Sequence, residues 1–248
     1  MLIAEVGLNH LGSFELAKRY VSFLCSTKVD GISFQVREKE FYERDEKKNL
    51  SLTDQEYTDL RSMVAAGGKK FGVALADIGK THFFKELDTD FYKIIRNDME
   101  NDLLVRTLLN TGKKVIVSTG LSSEEEMSIF VDKHGGYKNF TFNHTQLSYD
   151  VGDCNLSAIT SLKDKYGVPI SFGSHCSNYN VLYMSLCYEP SDILFYVKMS
   201  DTVTYPDDKH AICLRDVESL TSNLSILISA VGSGDKQKIE NKIAGMEI

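Results

Sequence analysis

No apolar run in the 248-residue sequence approaches the about 18 residues needed to cross a bilayer. The N-terminus has neither the basic start nor the small-residue cleavage site of a secretory signal. A cytoplasmic protein is therefore expected. Cysteine is scarce: Cys25, Cys154, Cys176, Cys187 and Cys213 are odd in number, scattered and without a C-x-x-C pair. That pattern excludes a disulfide framework and a structural zinc site of the usual spacing. The cysteines read as buried small hydrophobes, with Cys176 set apart by His175 beside it. A cationic excess is missing too. The formal charge of -7 argues against nucleic acid and anionic membrane as partners, because both draw on many Lys and Arg. Neither G-x-G-x-x-G nor G-x-x-x-x-G-K-S/T occurs, which removes the phosphate loops of open α/β sheets.

What is present is 42% hydrophobic content, enough for one large core, in short β-like runs that alternate with amphipathic helical stretches. Strands are predicted at the first apolar run through Glu5, at Gly31 to Val36, Phe71 to Leu75, Phe91 to Ile95, Lys114 to Thr119, Phe140 to His144, Pro169 to His175 and Ile193 to Met199. Ser13 and Asn101 are suited to cap helices, and Thr53 with Glu56 and Ser122 with Glu125 have capping-box spacing. A last helix from Leu214 to Val231 aligns Val217, Leu220, Leu224 and Leu227 on one face. The charged stretch from Arg37 to Leu52 reads as a long rim loop. Eight strands, each with a helix or room for one, predict an α/β protein. It is a single-domain (β/α)8 TIM barrel over residues 1–232, with a polar tail over 233–248.

Functional groups of such barrels come from the C-terminal strand ends. That rule collects Glu5, Asn9 and His10, then Gln35, Arg37, Asp77, Lys93, Arg96, Asp98, Ser118 and Thr119, and finally His144, Tyr149, Ser174, His175, Lys198 and Asp201. The mixture of cations, carboxylates and imidazoles suits a small phosphorylated or carboxylated substrate. Glu5 and Lys93, inside apolar strands, are costly to bury without partners and so point to function. Asn9 and His10 read equally as braces of the first loop, and His144 equally as a core histidine. Ser118, Thr119 and Gly120 also suit a plain strand-to-helix turn, and Arg37 a solvated loop cation. His82 and His134 read as helix-surface residues.

The opening Ile3-Ala4-Glu5-Val6-Gly7-Leu8-Asn9-His10-Leu11-Gly12-Ser13 resembles the signature of the sialic acid synthase family. Tyr92-Lys93-Ile94, Val117-Ser118-Thr119-Gly120-Leu121-Ser122, and His144 with Tyr149 resemble further family elements in the same order, as do Phe34-Gln35 and Ser174-His175. The resemblance runs from about Leu2 to Asn223. It implies condensation of phosphoenolpyruvate with a sugar or amino-sugar aldehyde to a nonulosonic acid, with Glu5, Lys93 and His175 as catalytic residues. Asn9, His10, Gln35, Arg37, Arg96, Asp98, Ser118, Thr119, His144, Tyr149, Ser174 and Lys198 would then bind substrate. In the family a divalent cation polarises the aldehyde while the enol carbon attacks; water then adds and phosphate leaves.

This chain departs from the pattern at the cation. The family's strand-two lysine is Ser33 here, with Arg37 as the nearby cation. The strand-eight metal histidine is Met199, leaving His175 as the matched ligand and His210, in the next loop, as the other candidate. Manganese or magnesium is accordingly expected to be held weakly, differently ligated or absent, with no organic cofactor. The resemblance has no counterpart of the family's C-terminal antifreeze-like domain. The resemblance implies a homodimer, and the domain that crosses between subunits in such relatives is expected to have no counterpart here, which leaves the oligomeric state open. Two other readings stay open: a divergent sugar-phosphate lyase or isomerase, and a synthase-like binding or regulatory protein without turnover.

Overall fold

A computed structural model describes residues 1–235, apart from the side chains of Arg96 and Asn97. The expected polar tail beyond residue 235 and the Arg96 side chain lie outside the described residues. The strands are β1 (Leu2–Gly7), β2 (Gly31–Val36), β3 (Lys70–Leu75), β4 (Phe91–Ile94), β5 (Lys114–Ser118), β6 (Phe140–His144), β7 (Ile170–Ser174) and β8 (Ile193–Lys198). Each pairs in parallel with the next, and β8 closes on β1 with Leu2 opposite Ile193 and Glu5 opposite Tyr196. The helices between them are α1 (Phe14–Cys25), α2 (Lys39–Tyr42), α3 (Asp54–Ala66), α4 (Thr81–Glu86), α5 (Asp102–Leu109), α6 (Glu124–His134), α7 (Ala158–Tyr166) and α8 (Asn180–Ser185). A short β9 (Ile212–Cys213) adds outside β8 and leads into α9 (Leu214–Val231). This is a closed (β/α)8 TIM barrel, and no helix of the described residues is long and apolar enough to cross a membrane.

Alternation along the strands divides the interior into layers. Outward residues such as Val6, Phe34, Val73, Tyr92, Val117, Phe142, Phe172 and Phe195 join helix residues such as Ala17, Leu60, Leu104 and Leu220 in one core. Inward residues form a second, smaller cluster of Ile3, Phe91, Ile116 and Leu194, all at most 1% exposed. Phe91 occupies the room left by Gly72, where an added Cβ would lie 2.1 Å from its ring. The bottom of the barrel is thereby filled. Two residues further along those four strands stand Glu5, Lys93, Ser118 and Tyr196, so the next inward layer is polar.

Several local expectations shift. The capping box of α6 is Ser123 with Glu126, one residue past Ser122 and Glu125. The Ser122 N–H is already taken by the Thr119 carbonyl at 3.0 Å, in a turn where Leu121 has φ 70°. The charged 37–52 stretch contains α2, anchored by buried Phe41. His134 is buried, not on the surface: its ring lies 4.7 Å from that of Phe130, and Nε2 is 3.3 Å from Asp102. Leu227 is exposed, because α9 is exposed from residue 225 onward.

Candidate active site

The polar layer is held together by an ion pair. Lys93 Nζ lies 2.7 and 2.8 Å from the two Glu5 oxygens, with both side chains buried, and sits 5.5 Å from the centre of the Tyr196 ring. Two charges removed from water each find a partner, so their desolvation is offset. Beyond Glu5 the β1–β2 register shifts, and Gly7 adopts φ 55°. A Cβ there would meet Tyr196 at 3.1 Å and Asp207 Oδ2 at 3.2 Å. This bulge ends the strand and lets the loop after β8 fold back over it. Asn9 fixes that loop: its amide donates to the Val197 carbonyl at 2.8 Å, and its oxygen accepts from Asp207 N at 3.1 Å. His10 is fully buried and accepts from Gly12 N through Nδ1; burial pushes it down to about 4.

Above Lys93 opens a cavity of about 340 Å³. Gln35, Arg37, Lys93, Ser118, Tyr149, His175 and His210 line it, together with Leu8, Phe41, Ile95, Leu147, Tyr196, Pro206 and Asp207. Arg37 bridges Glu38 at 2.7 Å and lies over Phe41, 4.4 Å from the ring centre. It is therefore a braced wall cation and not a freely solvated one. His175 Nδ1 meets Thr145 Oγ1 at 2.9 Å, and its ring is 4.6 Å from that of His210. Tyr149 stacks on His210 at 5.9 Å. Neither His210 nitrogen has a hydrogen bond, the nearest carboxylate oxygen being Asp207 Oδ1 at 3.9 Å. Burial, then Lys93, pushes His210 down to about 4. Asp207 moves the other way, up to about 7: burial contributes most, the Glu5 carboxylate adds to it, and Lys93 and Lys47 oppose it. Near neutral pH the cavity thus holds neutral imidazole beside a carboxyl that readily carries a proton.

Other residues collected by the strand-end rule do not reach this wall. Glu5 lies under it, bonded to Lys93. Asn9 and His10 brace the first loop. Thr119 Oγ1 donates to the Asn143 carbonyl, and His144 Nε2 meets the Cys154 carbonyl at 3.0 Å, which makes it a satisfied core histidine. Ser174 Oγ accepts from Cys176 N. Lys198 is held by Asp201 and Asp208, both at 3.1 Å, and does not line the cavity. Asp98 lies in a 3-10 turn off the wall. Tyr196 and Asp207 were not anticipated. Tyr196 was within reach of the period-two pattern through Leu194, whereas Asp207 sits in a loop without periodicity.

His175, His210 and Asp207 have the donor chemistry of a divalent-cation site. Among the described residues, however, no group of three His, Cys, Asp or Glu side chains is arranged to hold a metal ion. The residues present do not fit the family's cation in this geometry. Met199, which the resemblance sets against a family histidine, packs against the core.

The chain matches the model of the NeuB family over residues 19–236. An uncharacterised protein of Methanocaldococcus jannaschii is 25% identical over 247 residues, covering 95% of this chain and 73% of its own length. The N,N'-diacetyllegionaminic acid synthase of Campylobacter jejuni is 21% identical over 274 residues, covering 100% and 82%. Among solved structures, an N-acetylneuraminic acid (sialic acid) synthetase from Leptospira borgpetersenii, in complex with citrate, superposes with a TM-score of 0.89 at 25% identity, over 96% of this chain and 87% of that one.

Proposed function

The chain belongs to the NeuB family, and on that premise we propose that it joins phosphoenolpyruvate to the aldehyde carbon of a sugar or amino-sugar, yielding a sugar acid of the nonulosonic type and phosphate. The observation that carries this reading is the convergence of Gln35, Arg37, Lys93 and Ser118 with Tyr149 and His175 around one cavity. Lys93 and Arg37 supply positive charge for phosphate and carboxylate, and Gln35 and Ser118 supply hydrogen bonds. Tyr149, His175 and His210 offer an aromatic and hydrogen-bonding wall to a sugar.

In the reaction, carbon 3 of the enol attacks the aldehyde carbon, forming the new C–C bond, while the aldehyde oxygen gains a proton. Asp207, which lines the cavity and is pushed up to about 7 by burial, would donate it as charge develops on that oxygen. Water then adds at carbon 2, and the bond from that carbon to the phosphate oxygen breaks. The Glu5 carboxylate fixes Lys93 throughout.

The test incubates the purified protein with phosphoenolpyruvate and a panel of N-acyl hexosamines and simple aldoses, with and without manganese, and follows phosphate release. Release with at least one acceptor is expected. No release with any acceptor, together with no calorimetric binding of phosphoenolpyruvate, overturns the reading. A second reading, a synthase-like protein that binds the anion without turnover, is supported by the lack, among the described residues, of three side chains arranged to hold a metal ion. Calorimetric binding without phosphate release selects it.

A further inference from the structure

The rim loop after β2 gathers its cations around one aromatic ring. Phe41, buried and part of the cavity wall, has Arg37 4.4 Å, Arg44 5.8 Å and Lys47 6.0 Å from its ring centre. Backbone turns account for the gathering. Arg44 N donates to the Phe41 carbonyl and Lys47 N to the Arg44 carbonyl, so every third residue returns to the same side. The far end of the loop is fixed as well. A Cβ on Gly12 would lie 1.6 Å from the Asn49 carbonyl oxygen, so the first loop presses directly against it.

These cations differ in their partners. Arg37 is bound to Glu38, Lys39 to Glu43 and Lys48 to Asp45. Arg44 and Lys47 have no carboxylate within ion-pair distance among the described residues. The acids left over in the loop, Glu40 and Glu46, are exposed, whereas Lys47 is half-buried. A half-buried ammonium set against a ring face without a counter-charge is a ready receptor for an anion. Lys47 already acts inward, since it opposes the upward push on the Asp207 carboxyl.

We propose that Arg44 and Lys47 form a phosphate subsite at the mouth of the cavity, and that the acceptor is a sugar carrying a phosphate monoester at the end remote from its aldehyde. This rests on the condensation proposed above. The aldehyde carbon has to face the enol near Lys93, which leaves the terminal carbon of the sugar directed toward the mouth. A phosphate there meets two cations that no carboxylate holds. Deeper in, Lys93 and Arg37 are each shared with a carboxylate, Glu5 and Glu38, and serve phosphoenolpyruvate. Lys209 provides a control for general surface charge. It lies 5.1 Å from the ring centre of Tyr149, which follows β6, four strands round the barrel from β2.

The test compares N-acylhexosamines with their 6-phosphates on the full chain, following phosphate release from phosphoenolpyruvate. Alongside it, calorimetry in the presence of phosphoenolpyruvate measures binding of a hexitol and of its 6-phosphate, which lack the aldehyde and cannot react. The phosphorylated form is expected to bind at least about tenfold more tightly and to be the better acceptor. Arg44→Gln/Lys47→Gln should raise KM for the sugar phosphate by about that factor, leaving KM for phosphoenolpyruvate unchanged, while Lys209→Gln keeps the preference. Equal use of both sugars sinks the subsite and leaves the condensation standing. An equal rise in KM for phosphoenolpyruvate, or the same loss in Lys209→Gln, also overturns the subsite. If no acceptor releases phosphate but the hexitol phosphate still binds through Arg44 and Lys47, the condensation falls and the subsite stands.

Discussion

Removing one member of the Glu5 and Lys93 pair differs in kind from removing both. Glu5→Gln leaves a buried ammonium without its counter-charge, and about 3–5 kcal/mol of stability should be lost in urea unfolding. The double variant Glu5→Gln/Lys93→Met, which leaves no bare charge, should lose far less. Equal losses in the two would show that the pair is not coupled. Asp207 carries a pH signature. Its folded carboxyl, up to about 7 from an ordinary 3.8, holds a proton that the unfolded chain releases. This residue's contribution is therefore present at low pH and lost as pH rises from about 4 to about 7. Asp207→Asn should melt above the parent at pH 8 and close to it at pH 4; a difference that ignores pH would refute the assignment. Glu5 and Lys93 were each visible in the sequence as charges inside apolar strands. Their pairing was not, because the two are 88 residues apart and only barrel closure brings them together.

At the scale of elements, caps and strands were the legible part. Gly31 to Val36 and Leu214 to Val231 follow from apolar period and flanking signals alone. The capping box of α3 was equally plain: Thr53 accepts from Glu56 N, and Glu56 reaches back to Thr53 N. The corresponding box of α6 was misplaced by one residue, because Ser122 and Ser123 both have a glutamate three residues on. Only the turn closed by the Thr119 carbonyl decides between them. Ser123→Ala should accordingly cost about 1 kcal/mol, while Ser122→Ala should change stability little. Thermal unfolding of the two variants compares them directly, and the opposite order would contradict the capping assignment. The loop after β8, which brings Asp207 and His210 over the Gly7 bulge, has no periodic signal, and its return depends on long-range bonds to Asn9.

For the molecule as a whole, acid is the sensitive direction. His10 and His210 are kept neutral by burial, each down to about 4 from the ordinary 6.5. The unfolded chain takes up protons that the folded barrel refuses, so their contribution is intact above about 6.5 and lost as pH falls toward 4. Since His210 has no hydrogen bond to lose, His210→Gln should flatten the decline in unfolding free energy over that window. An unchanged slope would place the acid sensitivity elsewhere. The barrel and its polar rim were readable from strand count and strand ends, whereas the composition of the cavity wall emerged only with closure.

The filled base of the barrel has a kinetic consequence. With Ile3, Phe91, Ile116 and Leu194 closing the floor, the chamber above Lys93 is shut off toward the barrel's base. In the proposed condensation, the partner that settles deepest must enter first and the larger sugar must follow it. Departure is then ordered as well: whatever lies against Lys93 waits until the sugar acid has cleared the opening. Inhibition patterns with added phosphate and added product would record that queue.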